Sequence, residues 1–342
     1  MEKGNIPGST NLFIQGSQHQ RYLEVHRIRQ IIIDTDPGID DALALLLAFS
    51  SPEVKVHGLT TVTGNVSLQQ GSENALKILE FIGVNGIPVA PGASKPLCRS
   101  NRDASSIHGK TGLGATRLPD PKGSLDHRTA VELITEKADE LGQDLTLVAI
   151  GPLTNVAEAI QESPGIVEGV AGLVMMGGAY NLTRYGHGNV TPVAEFNVWH
   201  DPEAAKIVFN SGIPMTAVGL DVTTDPSNRL SRERYEEIEG LGTRRATLVA
   251  DLCRGIVERY GGISLHDPLA IATLINPTLV KTERVRVEVE TRGELTRGMT
   301  VVDRRRYHQT GRGDTGVEVC VSVDGERFHR LFFDRVARGS GR

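Results

Sequence analysis

From residue 28 to about residue 220 the chain alternates short apolar runs with longer amphipathic segments. That alternation limits the fold more than any other feature. The runs are "RQIIID", "VKVHGLTTV", "IPVA", "LTLVAI", "AGLVMMGG" and "PMTAVGL". Each is rich in Val, Ile and Leu, as a parallel strand covered on both faces must be. The segments between them carry helix signals. One helix occupies residues 40–50, and another starts after Ser67, a good N-cap. "TAVELITEKADELG" stops on a glycine, and "PLTNVAEAIQES" opens with Pro152 in its first turn. "DPEAAKIVFNSG" has Asp201 as cap, Pro202 in the first turn and Gly212 at its end. Alternation of this kind predicts an α/β fold: a mostly parallel, Rossmann-like open sheet with helices on both faces.

The last third changes character. Residues 231–260 read as helices, and "HDPLAIATLI" opens another at its Asp-Pro step. "VRVEVET", "GMTVVD" and "GVEVCVSV" then read as an appended strand pair or triple, a small C-terminal β/α elaboration. No flexible linker separates these parts, so residues 28–338 are expected to form one domain. Residues 1–27 are polar and turn-rich and are expected to be a loose tail without a signal peptide.

Composition excludes some functions. A net charge of -5 gives no general polyanion-binding character, so no nucleic-acid partner is expected. No apolar stretch reaches the roughly 18 residues that a membrane span needs. Three widely spaced cysteines, Cys98, Cys253 and Cys320, match no metal or redox spacing and favour a reducing cytoplasm.

In such a sheet ligands bind at the carboxyl ends of the strands. The first of these ends is "IIIDTDPGIDDA", with Asp34, Asp36, Asp40 and Asp41 inside eight residues. Helix capping accounts for one or two acids at a helix start, at about 0.3–1 kcal/mol each. It accounts poorly for four, whose mutual repulsion calls for a cation. Converging carboxylates suit a hard ion, Ca²⁺ or Mg²⁺.

Later strand ends bring Asn65 in "TVTGNV", the carbonyl of Ile150 in "VAIGPLTN", and Asn189, Glu195 and Asn197 in one long loop. "LHDPLA" adds His266 and Asp267 just before a helix. Each has an ordinary reading. Asn65 and Asn189 could be turn residues, Glu195 and Asn197 the solvent face of a strand, and Asp267 an N-cap beside a surface histidine. Together, at successive ends of one sheet, they suit a polyhydroxylated ligand such as a sugar.

At these residues the chain resembles the inosine-uridine preferring nucleoside hydrolase family. The resemblance rests on "DTDPGIDDA", "TVTGN", "GPLTN", "MMGGA", "GNVTPVAEFNVWHDPEAA" and "HDPLA", in the family's order. It implies an enzyme that hydrolyses the N-glycosidic bond of ribonucleosides to ribose and free base, with bound Ca²⁺. By that likeness Asp36, Asp41, Asp267 and the Ile150 carbonyl would be the calcium ligands. Asp36 would also be the general base acting on a calcium-bound water. Asp40, Asn189, Glu195 and Asn197 would hold the ribose hydroxyls, with Asn65 near the anomeric carbon. His266 would assist the leaving base, and His108, in "SIHGKTGLG", would sit on a loop that closes over substrate. The likeness further implies a homodimer or homotetramer. A single tryptophan, Trp199, together with His266, leans towards inosine-uridine or pyrimidine substrates rather than the purine-specific branch. Residues 244–265 show no plain base-recognition pair.

Two other readings compete. An apolar strand followed by "DTD" resembles the opening of Mg²⁺-dependent haloacid-dehalogenase-like phosphohydrolases, with "GLDVTTD" as a later acidic motif. That pattern leaves "VTPVAEFN" and "HDP" unused. A non-catalytic nucleoside or sugar binder would need the sugar-gripping groups but not the metal ligands.

Overall fold

The computed structural model describes residues 28–102, 104–305 and 316–339. The expected tail, residues 1–27, lies outside them. Strand β1, Arg29–Thr35, alternates its isoleucines between the two faces of the sheet. Ile31 and Ile33 join one hydrophobic core, and Ile32 joins the other. A strand buried on both faces demands helices on both, and they are present.

The strands β2 (Val54–Thr61), β3 (Val89–Pro91), β4 (Leu145–Ala149), β5 (Gly172–Met176) and β6 (Met215–Val218) fall on the expected apolar runs. The sheet has eight strands in the order β3, β2, β1, β4, β5, β6, then Val317–Val323 and Val280–Val285. All neighbours are parallel except the last pair. The chain builds β1, β2 and β3 in one direction, then returns to lay β4 on the other side of β1. That reversal is a topological switch point. The loops leaving β1 and β4 diverge there and open a crevice above the carboxyl edge.

The C-terminal strands differ from the expected appendage. Val317–Val323 extends the central sheet beside β6 and buries Val317, Val319 and Cys320. Val280–Val285 closes the edge as an antiparallel strand with exposed Lys281, Glu283 and Arg284, charges that discourage further pairing. Of the C-terminal strands, Val287–Val289 and Thr300–Val302 form a separate ribbon, and Arg229–Ser231 with Gly262–Ser264 forms another earlier in the chain. The reason is spatial: the run "VEVCVSV" pairs with a strand about a hundred residues earlier, which no local pattern reveals.

Helix α1, Ile39–Phe49, is buried along its whole length. It packs against the helix His266–Ile275, which is buried from Asp267 onward. Two helices apolar all round can be covered only by lying between the sheet and other elements. Their pairing brings the "DPGIDD" and "HDP" stretches to one place. No helix among the described residues is long and apolar enough to cross a membrane.

Leu46 in α1 is fully buried. We expect Leu46→Ala to lower unfolding stability by ~2–5 kcal/mol in urea titrations, with the slope unchanged. A loss below about 1 kcal/mol would show that α1 is not tightly packed.

Candidate active site

β1 ends at Thr35, and a Pro37–Gly38 turn starts α1 almost at once. Four acids are therefore held by fixed backbone. Asp41 sits in the first turn of α1, and its carboxylate accepts the Gly38 N–H at 3.0 Å, one half of a capping box. It also accepts from the Thr35 hydroxyl at 2.6 Å, the Asp36 N–H at 3.2 Å and the Asn65 amide at 3.0 Å. Asp36 is fully buried. Its Oδ2 accepts the Asn65 backbone N–H at 2.6 Å, while its Oδ1 is buried with no hydrogen-bond donor.

Asp40 ties α1 to the second buried helix. Its Oδ2 accepts the backbone N–H groups of His266 at 3.0 Å and Asp267 at 3.1 Å, and its Oδ1 has no donor. Asp34 is different. Its Oδ1 accepts from the Thr60 hydroxyl at 2.6 Å and the Asn155 amide at 2.7 Å. It anchors the base of the turn and stands beneath the group above it.

The electrostatics are those of like charges driven together. Burial holds Asp36 well above the usual carboxylate range, and the Asp41 carboxylate adds to it. Burial likewise raises Asp267, followed by Asp40, Asp41, Asp36 and Glu195. Burial and Asp41 raise Asp40. Among the described residues no lysine or arginine is a charge partner of these three acids. Two helix N-termini aim N–H groups at the cluster and relieve only part of the repulsion.

Among the described residues no three His, Cys, Asp or Glu side chains are already gathered as a metal cage. Asp41 is occupied by neutral donors, and the Ile150 carbonyl accepts the Asn197 amide at 3.1 Å. The donors nonetheless fit a hard divalent cation. They are all oxygens, two of the carboxylate oxygens are buried without a partner, and the Ile150 carbonyl keeps a second lone pair.

Two glycines shape the space around Asp36. A Cβ on Gly64 would lie 2.0 Å from Asp36 Oδ2, and one on Gly151 would lie 2.8 Å from Oδ1. Gly151 follows Ile150 at the end of β4, so the crevice at the switch point is lined by Asp36 on one side and by this turn on the other.

Glu195 and Asn197 are buried in the same crevice, not on the solvent face of a strand. Glu195 caps the short helix Phe196–His200, accepting from Asn197 N–H at 2.8 Å and Val198 N–H at 3.1 Å, and also from Gly178 N–H at 2.9 Å. The Asn197 amide donates to the Ile150 and Met176 carbonyls, both at 3.1 Å, at the ends of β4 and β5. His266 Nδ1 lies 2.8 Å from the Thr223 hydroxyl, and burial pushes the ring down to about 4, so it is neutral near pH 7. His108 Nδ1 accepts the Ile39 N–H at 3.1 Å and so stands over the start of α1. Asn189 is the exception. It is exposed, and its hydrogen bond is the backbone one to the Ala194 carbonyl.

Sequence reasoning passed over Thr35, Thr223, Gly64, Gly151, Thr60 and Asn155. All six stand inside or beside stretches already singled out. Small and hydroxylated residues directly after an apolar strand are the available signal.

The geometry agrees with the comparisons. Residues 31–330 match the family model described as "Inosine-uridine preferring nucleoside hydrolase". The chain is 43% identical over 320 residues to an inosine-uridine preferring nucleoside hydrolase of Leishmania major, covering 91% of this chain and 98% of that protein. It is 41% identical over 313 residues to the pyrimidine-specific ribonucleoside hydrolase RihA of Escherichia coli, covering 90% and 97%. Among solved structures, a plant nucleoside hydrolase superposes with a TM-score of 0.84 at 32% identity, covering 91% of this chain and 99% of that one. Enzymes of this family use a metal ion, in keeping with the oxygen-lined acidic crevice. The chain belongs to the inosine-uridine preferring nucleoside hydrolase family and is an enzyme that hydrolyses the N-glycosidic bond of ribonucleosides.

Proposed function

We propose that residues 28–338 act as one catalytic domain, a calcium-dependent ribonucleoside hydrolase that prefers uridine, inosine or pyrimidine nucleosides. The observation that carries this reading is Asp36 Oδ1, a buried carboxylate oxygen without a donor at the switch point of the sheet. The base preference is supported by the substrates named for the two relatives above 40% identity.

In this reading Asp36, Asp41, Asp267 and the Ile150 carbonyl hold Ca²⁺. The bound ion supplies positive charge that balances the buried carboxylates and acidifies water beside it. Asp36 receives the proton of the attacking water through its free oxygen. Its other oxygen stays fixed by Asn65 N–H, so the base keeps its orientation. Asp40, Glu195, Asn197 and Asn189 grip the ribose hydroxyls. Asn189 must swing inward to do so, since it is exposed here. Asn65, bonded to both Asp36 and Asp41, faces the anomeric carbon. The acidic wall stabilises the positive charge that develops on the sugar ring. His266, held neutral and pinned at Nδ1, offers its other ring nitrogen to the departing base. His108 covers the entrance. Attack by water from one face gives inversion at the anomeric carbon.

The phosphohydrolase reading fares worse. Asp221 of "GLDVTTD" accepts the N–H groups of Tyr180, Leu182 and Thr183, which fastens the loop after β5. It is absent from the partners of Asp34 and Asp36. We also propose a cytoplasmic homodimer or homotetramer, in keeping with three free cysteines.

A nucleoside panel assayed for reducing sugar tests the reading. Uridine or inosine is expected to release ribose, and Asp36→Ala is expected to lose about 10²–10⁴-fold in turnover. Release of phosphate from phosphoesters with no ribose from any nucleoside would sink it. A second check uses Gly64, whose added methyl would strike Asp36 Oδ2. Gly64→Ala is expected to cut kcat about 100-fold, because small displacements of catalytic groups are that costly. Unchanged kcat in a folded Gly64→Ala enzyme would remove Asp36 from the chemistry.

A further inference from the structure

The chain's one tryptophan, Trp199, stands outside the ribose-facing set, although it follows Asn197 on the same short helix. Two guanidinium groups rest on its ring. The Arg297 carbon lies 4.4 Å from the ring centroid and the Arg102 carbon 5.6 Å. A cavity of about 250 Å³ opens beside them, lined also by Arg99 and His200.

The charge in this cavity is unbalanced. Arg99 is satisfied by a two-pronged contact to Glu203 and by the Thr291 carbonyl. Among the described residues, no ion pair or side-chain hydrogen bond is present for Arg102 or Arg297. Arg297 Nε is buried without an acceptor. Burial, then Arg99 and Arg102, lowers the Arg297 pKa, the opposite of what a paired guanidinium shows. His200 adds no charge near neutral pH, since burial pushes it down to about 4. Among the described residues that line the cavity, Arg99, Arg102 and Arg297 are cationic and none is a carboxylate, while Glu203 pairs with Arg99 from outside the lining.

The cationic groups are fixed in place. Gly298 lies so close to Trp199 that a Cβ would stand 2.6 Å from the Trp199 Cα, which clamps Arg297 against the helix. On the other side Asn101 Oδ1 lies 3.1 Å from His200 Nε2, and the Asn101 amide donates to the Thr63 hydroxyl at 2.7 Å. A guanidinium fork with an unused buried N–H, beside a second free guanidinium, is suited to a phosphate, which it can bind through parallel charge-assisted hydrogen bonds.

We propose that this cavity binds a phosphate group, either inorganic phosphate or the phosphate of a small ester, held by Arg297 and Arg102 beside Trp199. The assignment does not rest on the catalytic reading, and its readout is separate from turnover. The site borders the short helix that Glu195 caps and that includes Asn197.

Because Trp199 is the sole tryptophan, its emission reports on this cavity alone. The experiment titrates the full-length enzyme with inorganic phosphate, and separately with ribose 5-phosphate, at constant ionic strength set by KCl. A saturable change in emission is expected with at least one of them, and the tighter of the two identifies the source. Arg297→Gln and Arg102→Gln are each expected to weaken the midpoint at least about tenfold. Arg102 is exposed, so its variant is expected to fold even where Arg297→Gln does not. A flat titration with both ligands, an equal response to KCl alone, or an unchanged midpoint in a folded Arg102→Gln enzyme would each overturn the proposal.

Discussion

Everything at the centre of this protein depends on keeping buried carboxylates together. Asp36, Asp41 and Asp267 are at most 4 % exposed, and Asp40 is 8 % exposed. Among the described residues no lysine or arginine compensates Asp36, Asp40 or Asp267. Burial of unpaired charge is costly, and proteins keep such groups only where they are neutralised or ligate a cation. Hydrogen bonds offset part of the cost here. Asp41 collects four donors and Asp40 two backbone N–H groups. Asp34 Oδ2, Asp36 Oδ1 and Asp40 Oδ1 are buried without donors, and of these Asp36 Oδ1 and Asp40 Oδ1 belong to the acids that crowd together above the sheet.

The fold delivers this arrangement by topology. β1 must be central for its carboxyl end to face both β2 and β4, and the chain reversal around β1 opens the crevice there. α1 and the helix His266–Ile275 must lie side by side for Asp40 to reach the His266 and Asp267 N–H groups. The same packing that fills the core thus sets the spacing of the acids. Stability and activity are coupled at α1, because a shift of this helix moves Asp40 and Asp41 together.

Much of this was legible in the sequence. Apolar runs located β1 to β6, since strands buried on both faces leave a continuous signal. The acids of "DTDPGIDD" and "HDP" were found by their chemistry, and their meeting across more than two hundred residues followed only from the family resemblance. Asp34, which the resemblance leaves outside the ligand set, accepts from Thr60 and Asn155 beneath the other acids. What stayed hidden has physical reasons. The placement of Val317–Val323 in the central sheet depends on a long-range pairing that local periodicity does not encode. Glu195 as a helix cap was obscured because the helix it starts has five residues, too short to show a period. The glycines against Asp36 act through an absence of atoms, and the arginines around Trp199 come from two stretches of chain far apart in sequence.

We propose that one divalent cation per chain balances the acidic crevice, held by Asp36, Asp41, Asp267 and the Ile150 carbonyl. The direct measurement is the calcium content of chelator-stripped and calcium-loaded enzyme, with the melting temperature of each. One bound ion per chain is expected, with a higher melting temperature when loaded and about 2.7 kcal/mol of added stability at a hundredfold excess over Kd. Asp267→Asn, which removes one ligand charge, should lose both effects. Absence of bound calcium, with identical melting curves for stripped and loaded enzyme, would contradict it.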